Sequence, residues 1–164
     1  MNKIIAKTLM SGNAAKMVVE APLIARKAKP GQFIILRAKA HSERIPLTIH
    51  DVNLEEGSVT VVYQVVGDGT RELDTLQAGD SLNDFVGPLG THTRTEGLNK
   101  VCVVGGGVGC AIAYPVARKL HEQGCQVHSI IGFRGKEQVF LEEEFGKVSD
   151  LMRVMTDDGS HGEK

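Results

Sequence analysis

A glycine-rich segment in the second half of the chain is a candidate for binding chemistry. The run GGGVG at residues 105–109 follows the apolar stretch 100–104 and precedes a stretch of helical periodicity at 108–123. Glycines let the backbone approach a diphosphate closely, and a helix N-terminus offers N–H groups and a positive dipole end. The arrangement predicts a dinucleotide site, with a purely structural tight turn as the alternative. Cys110 stands where the dinucleotide fingerprint would have its third glycine. The candidate residues are Gly105, Gly106, Gly107, Gly109 and Cys110.

The next apolar stretch of this half, at 126–132, ends at Phe133 and Arg134. An adenosine ribose lies at this strand end in dinucleotide-binding folds. The strand end carries no acidic residue, and the guanidinium of Arg134 could meet a 2′-phosphate, which slightly favours NADP over NAD. A solvated surface arginine remains the alternative.

A second candidate lies in the first half of the chain, in the segment RIPLTI at residues 44–49. The guanidinium of Arg44 could make a bidentate contact with a diphosphate. Thr48 shares its strand face at period two, so its hydroxyl and N–H could approach a flavin ring nitrogen. Pro46 and Leu47 would form an apolar floor. An edge-strand proline and a surface arginine are the ordinary alternative. The candidate residues are Arg44, Pro46, Leu47, Thr48 and Ile49.

The segment VVGDGT at residues 65–70 is a further anion cradle, since two glycines precede a short helical stretch. Asp68 would oppose a phosphate unless its side chain points away, and a plain glycine turn explains the segment equally well. The candidate residues are Val65, Gly67, Gly69 and Thr70. Two diphosphate sites, one in each half of the chain, predict one flavin and one nicotinamide cofactor.

Composition argues against several other classes of function. The 164 residues carry 19 Lys and Arg against 20 Asp and Glu, so no basic nucleic-acid surface is expected. Three cysteines without CxxC spacing and six histidines without metal-ligand spacing predict no metal site, and we interpret the histidines as surface or polar-loop residues. No catalytic acid, base or nucleophile stands out. The uncharged run 101–117 is too short for a membrane span, and without a signal peptide we expect a cytoplasmic protein.

The elements that must position these residues change in kind along the chain. The first part predicts an all-β antiparallel barrel, because short alternating strands are separated by polar turns. Its predicted strands are 4–9, 15–21, 33–38, 46–51, 58–66 and 81–86, with one or two helical turns at 70–76.

The polar stretch 91–98 predicts a boundary between domains 1–97 and 98–164. After it, strands and helices alternate, which predicts parallel βαβ units. The predicted strands are 100–104, 126–132 and 150–155, and the predicted helices are 108–123 and 139–147. A doubly wound nucleotide domain usually has five or six strands, so we expect this α/β domain to be incomplete and the chain to be a fragment of a longer protein. The alternative is a minimal three-strand layer completed by another copy or by the barrel.

Five motifs occur in an order that resembles a known family. They are RIPLTI at 44–49, VVGDGT at 65–70, GPLGTH at 87–92, the triple-glycine loop with Tyr114-Pro115, and TDDGS at 156–160. Together they resemble the ferredoxin–NADP reductase superfamily in its branch of electron-transfer subunits. Within that branch the chain resembles most the small subunits of NADH-dependent reduced ferredoxin:NADP oxidoreductases, and the electron-transfer subunits of dihydroorotate dehydrogenase B are similar.

The resemblance implies an FAD-binding barrel followed by an NAD(P)-binding domain. By this resemblance Arg44 contacts the FAD diphosphate, Thr48 the flavin ring, and segment 67–70 the FAD backbone, while residues 105–109 hold the nicotinamide dinucleotide. It also implies that electrons pass between NAD(P)H and a ferredoxin or iron–sulfur acceptor through FAD, with a larger catalytic flavoprotein subunit as partner.

Family members continue past the TDDG motif to a cysteine cluster that carries a [2Fe–2S] centre. This sequence lacks those cysteines, so we expect the centre in a missing C-terminal part. The alternatives are an electron-transfer subunit of dihydroorotate dehydrogenase B, a non-catalytic barrel module that docks a partner, and a nucleotide sensor without redox turnover.

Overall fold

Seven strands form one antiparallel sheet in the first half of the computed structural model, which describes residues 2–164. The strands are β1 (Asn2–Leu9), β2 (Ala14–Glu20), β3 (Phe33–Arg37), β4 (Ile45–Asn53), β5 (Ser58–Gln64), β6 (Ser81–Leu82) and β7 (Asp84–Leu89). They pair in the order β6-β1-β2-β5-β4-β3-β7, with β6 and β7 at the two edges.

The sheet curls because its two edge strands are separated in sequence by Asn83 alone. Strand β6 pairs with β1, whereas β7 pairs with β3 at the opposite edge. The chain passes from one edge to the other at Asn83, whose N–H donates to the carbonyl of Arg37 at 3.0 Å. The predicted single strand 81–86 is therefore wrong, since two differently paired strands replace it, and β7 continues beyond the predicted end to Leu89. The predicted antiparallel barrel is confirmed as a curled sheet.

The core of this unit is built from the inward side chains of the strands. Met17, Val19, Val59 and Val61 on the central strands β2 and β5 are inaccessible to solvent, as their alternating pattern predicts. Two short helices pack on this core, α1 (Pro22–Ala25) and α2 (Asp68–Asp74). Helix α1 has a single turn, which is too short to show helical periodicity, and the sequence analysis did not predict it.

The second half contains a three-stranded parallel sheet in the order β10-β9-β8. Its elements are β8 (Lys100–Gly106), α3 (Gly109–Glu122), β9 (Gln126–Phe133), a 3-10 helix (Lys136–Gln138), α4 (Glu142–Lys147) and β10 (Leu151–Thr156). The predicted βαβ alternation is confirmed. Helix α4 begins later than predicted, because Leu141 adopts a left-handed conformation with φ 61°.

The chain divides into two units between His92 and Thr93. This division lies inside the polar segment 91–98, before the predicted boundary at Gly97. Among the helices in the described part of the chain, none has the length and apolar character that crossing a bilayer requires.

Candidate functional site

Strand β4 sorts the residues of segment 44–49 onto two faces. Ile45 and Leu47 pack against the hydrophobic core, and Ile49 is buried within it. Strand alternation places Arg44 and Thr48 on the other face, where Arg44 is exposed and Thr48 is half-buried. The side chain of Leu47 is thus directed into the core rather than into an apolar floor beside Pro46, and Ile49 lies there too.

The loop that carries Arg44 meets the first turn of helix α2. A Cβ atom on Gly69 would lie 1.9 Å from Oε1 of Glu43, so the side chain before Arg44 rests directly on Gly69. A second link joins the same loop and helix, since Nζ of Lys39 lies 3.5 Å from Oε1 of Glu72. Segments 44–49 and 65–70 were identified separately in the sequence. In the structure they lie next to each other and can form a single binding site in the first unit.

Segment 65–70 is held in shape by hydrogen bonds at both of its ends. The N–H of Val65 donates to the carbonyl of Asn13 at 2.9 Å, and Nδ2 of Asn13 donates to the carbonyl of Val65 at 3.0 Å. The hydroxyl oxygen of Thr70 accepts from the N–H groups of Val66 and Gly67, both at 3.0 Å. A Cβ atom on Gly67 would meet nothing within 4 Å, so its backbone lies open to an approaching ligand.

The carboxylate of Asp68 points away from this place. Its Oδ1 lies 2.6 Å from NH1 of Arg71, and its side chain is fully exposed to solvent. The condition that the sequence analysis set on Asp68 is therefore met, whereas a different carboxylate, that of Glu43, lies on Gly69.

Cys110 packs helix α3 against strand β8. A Cβ atom on Gly105 would lie 3.0 Å from Cα and 3.1 Å from Sγ of Cys110, so the strand and the helix touch here without room for a side chain. The Cys110 side chain is inaccessible to solvent, and burial raises the pKa of its thiol to about 11. Its N–H donates to the carbonyl of Gly107 at 3.1 Å. Gly105 thus provides the close contact between strand and helix that the third glycine of the fingerprint usually allows. The Cys110 thiol is buried in the interior of the second unit.

The rest of the glycine loop leaves its backbone bare. A Cβ atom on Gly106, Gly107 or Gly109 would meet nothing within 4 Å. Only Gly107 adopts a positive φ, 51°, and its N–H donates to the carbonyl of Gly132 at 2.8 Å. A structural turn therefore explains glycine at 107 but not at 106 and 109. Bare backbone at the carboxyl end of a parallel strand is what close approach of a diphosphate requires.

The chain beyond β10 is fastened to the chain beyond β9. The N–H of Asp157 donates to the carbonyl of Phe133 at 3.0 Å, and that of Asp158 to the carbonyl of Arg134 at 3.3 Å. The exposed Arg134 and the TDDGS turn thus lie side by side at the carboxyl edge of the sheet, where open α/β sheets bind ligands.

Asp158 brings an acidic group to this edge that the sequence analysis missed. Its Oδ2 would lie 2.7 Å from a Cβ atom on Gly135, so the carboxylate sits on the backbone next to Arg134. Hydrogen bonds from the hydroxyl and N–H of Ser160 lower the pKa of Asp158. The position of Asp158 could have been predicted, because it follows β10 as Arg134 follows β9, and the carboxyl ends of neighbouring parallel strands lie at the same edge of a sheet.

No group of three or more His, Cys, Asp or Glu within residues 2–164 could hold a metal ion. The interpretation of every histidine as a surface or loop residue is wrong for His50, which is buried on strand β4. The register between β4 and β5 shifts between Ile49 and Asp51, and this irregularity buries two successive residues.

Comparison with known proteins points to one family. An uncharacterized protein of Clostridium beijerinckii is 45% identical over 98% of this chain and 57% of its own length. The dihydroorotate dehydrogenase B (NAD(+)) electron transfer subunit homolog of Thermotoga maritima is 40% identical over 100% of the chain and 58% of its own length.

A solved structure of the NADH-dependent reduced ferredoxin-NADP oxidoreductase, from work on flavin-based electron bifurcation, gives a TM-score of 0.93 at 38% identity. The match covers 100% of this chain and 59% of that one. No protein-family model matches the chain. The chain spans somewhat under three fifths of the length of the two curated relatives. By sequence and by fold, the chain belongs to the electron-transfer subunits of the ferredoxin–NADP reductase superfamily.

Proposed function

We propose that this chain is the FAD- and NAD(P)-binding part of an oxidoreductase subunit that passes electrons between NAD(P)H and an iron–sulfur or ferredoxin acceptor. The observation that carries the proposal is the contact of Glu43 with Gly69, because it brings the Arg44 loop and segment 65–70 to one place. The open glycine loop of the second unit supports a separate dinucleotide site.

In the first unit, the proposed FAD site has two parts that contact the diphosphate: a positively charged side chain and an open stretch of backbone. The guanidinium of Arg44 neutralises the diphosphate, and the bare backbone at Gly67 lets the diphosphate come close. Thr48, on the same strand face as Arg44, contacts the flavin ring. The fit is supported by Asp68, whose carboxylate is turned into solvent and paired with Arg71.

In the second unit, residues 105–109 hold the diphosphate of the nicotinamide dinucleotide, and Arg134 lies at the ribose end. When bound, the two cofactors supply hydride transfer and single-electron transfer. The residues of this chain bind and orient them. No acid–base residue is needed for such a reaction, in agreement with the absence of a predicted catalytic pair in the sequence.

The proposed partner is a larger catalytic flavoprotein subunit, in a cytoplasmic complex. The Thermotoga relative is named as a dihydroorotate dehydrogenase B subunit homolog, which favours a dihydroorotate-oxidising partner as a second candidate. Dihydroorotate-dependent reduction of NAD⁺ by the assembled complex would identify that partner. The [2Fe–2S] centre implied by the resemblance remains an expectation for proteins of the relatives' full length.

Titration of the flavin-free protein with FAD tests the proposal. Arg44→Ala is expected to weaken FAD binding by about 1.5–3 kcal/mol, the usual contribution of a hydrogen bond to a charged group. Arg26→Ala, which removes another exposed arginine of the same unit, is the matched control. A protein that takes up no FAD would refute the proposed function, and unchanged affinity in the Arg44 variant would remove Arg44 from the site.

A further inference from the structure

Helix α2 is fastened at its C-terminal end by three polar residues, which we call the Asp74 cluster: Lys7, Tyr63 and Asp74. Nζ of Lys7 lies 2.7 Å from Oδ1 of Asp74 and also donates to the Asp74 carbonyl. The hydroxyl of Tyr63 donates to the same Oδ1 at 3.2 Å. The Tyr63 residue is 1% exposed and the Lys7 side chain 8%, whereas the Asp74 side chain is 30% exposed. The tyrosine and the lysine are therefore buried, and the carboxylate is half-buried.

Local sequence preferences do not explain an aspartate at this position. A carboxylate at the C-terminal end of a helix opposes the helix dipole. A helix of seven residues is also too short to be stable by itself. Contacts with the sheet therefore decide where α2 lies, and Lys7 on β1 and Tyr63 on β5 supply the directional ones.

The Tyr63 hydroxyl is held in its protonated form by its surroundings. Burial, together with the charge of Asp74, raises the pKa of Tyr63 above its usual range. The Tyr63 hydroxyl thus keeps its proton and donates it to the hydrogen bond with Asp74.

The opposite end of α2 carries part of the proposed FAD site. Helix α2 starts at Asp68, directly after Gly67, and its first turn contains Gly69 and Thr70. At about 1.5 Å per residue the helix is only about 10 Å long. A tilt or shift at Asp74 would therefore move the backbone of residues 67–70 relative to the Arg44 loop.

We propose that the Asp74 cluster positions the diphosphate-binding end of α2, so that Lys7, Tyr63 and Asp74 are positioning residues for FAD. This inference rests on the proposed function. It goes further by assigning a positioning role to residues that lie outside segment 65–70 and the Arg44 loop.

Two variants test the inference. Tyr63→Phe removes one hydroxyl and leaves the ion pair in place. The double variant Lys7→Met/Asp74→Leu replaces the pair with apolar side chains of similar size, a change that is often neutral for stability. The control is Glu163→Gln, which breaks an ion pair with Arg153 of 3.0 Å in the second unit.

The informative measurement is the dissociation constant for FAD beside that for riboflavin, which lacks the diphosphate. In both test variants the dissociation constant for FAD is expected to rise about tenfold or more, while that for riboflavin stays within about twofold. The control should change neither constant. Thermal unfolding of the flavin-free proteins shows whether each variant is folded.

Each outcome has a definite meaning. A parallel loss of both affinities with a lower unfolding temperature would show that the cluster only stabilises the fold, and unchanged FAD affinity in folded variants would show that it does not position the site. Either result overturns the inference while the proposed function stands. A wild-type protein that binds neither ligand refutes the proposed function itself.

Discussion

Alanine substitutions at Gly105 and Gly106 should separate packing from ligand binding within one loop. At Gly105 a methyl group would lie 3.0 Å from Cα, 3.1 Å from Sγ and 3.3 Å from N of Cys110. Two of these three atoms are backbone, so the overlap is relieved only if helix α3 moves away from β8. At Gly106 a methyl group would meet no protein atom within 4 Å, and φ there is not positive.

The expected magnitudes follow from this difference. Overpacking of this kind costs about 1–3 kcal/mol, so Gly105→Ala should lower the free energy of unfolding by that amount. For a chain of this size the unfolding temperature falls by about 2–4 °C per kcal/mol, which gives a decrease of about 2–12 °C. Gly106→Ala should change stability by less than about 0.5 kcal/mol. Its methyl group would instead obstruct a diphosphate and raise the dissociation constant of the nicotinamide dinucleotide about tenfold or more.

Thermal unfolding followed by circular dichroism, combined with titration by NADH and NADPH, measures both effects on the same samples. The reasoning would be refuted if Gly105→Ala melted at the wild-type temperature. It would also be refuted if Gly106→Ala bound the dinucleotides as tightly as the wild type.

Three further predictions concern thiols, pH and cofactor choice. A thiol reagent should label the exposed Cys102 in the native protein, while the buried Cys110 and Cys125 should react only on unfolding; rapid labelling of all three would contradict the assigned burial. Because the pKa of Asp158 is lowered in the folded state, its contribution to stability is present above about pH 4 and is lost as the pH falls through the folded value. Asp158→Asn should therefore be less stable than wild type near pH 7 and equally stable in acid, as pH-dependent melting curves would show; a pH-independent difference would exclude this role. If the ribose binds at Arg134, as proposed, the Asp158 carboxylate would repel a 2′-phosphate there. The same variant should then raise the kcat/KM for NADPH relative to that for NADH, and an unchanged ratio would place the ribose elsewhere.

Local patterns in the sequence were sufficient for most elements. Strands β1 to β5 were visible as alternating runs between polar turns, and β8 to β10 as apolar runs alternating with helical periodicity. The glycine run 105–109 was recognisable because a strand precedes it and a helix follows. Each of these patterns is contained within about ten consecutive residues, so it can be recognised without knowledge of the tertiary structure.

Local patterns failed where pairing between distant strands decides the structure. The crossing at Asn83 depends on which edge each strand joins, and no feature of residues 81–89 encodes that choice. His50 is buried because the register of β4 shifts against β5, which periodicity along one strand does not reveal.

The sequence by itself determined that this protein has an antiparallel β unit and a βαβ unit, and that each contains a glycine segment. Only the tertiary structure decided which side chains surround those segments. It brought Glu43 onto Gly69, Asp158 beside Arg134, and Lys7 to Asp74. The physical reason is that alternation and helical period arise from neighbours along the chain, whereas these contacts depend on strand order and sheet curvature, which are set by the burial of the whole core.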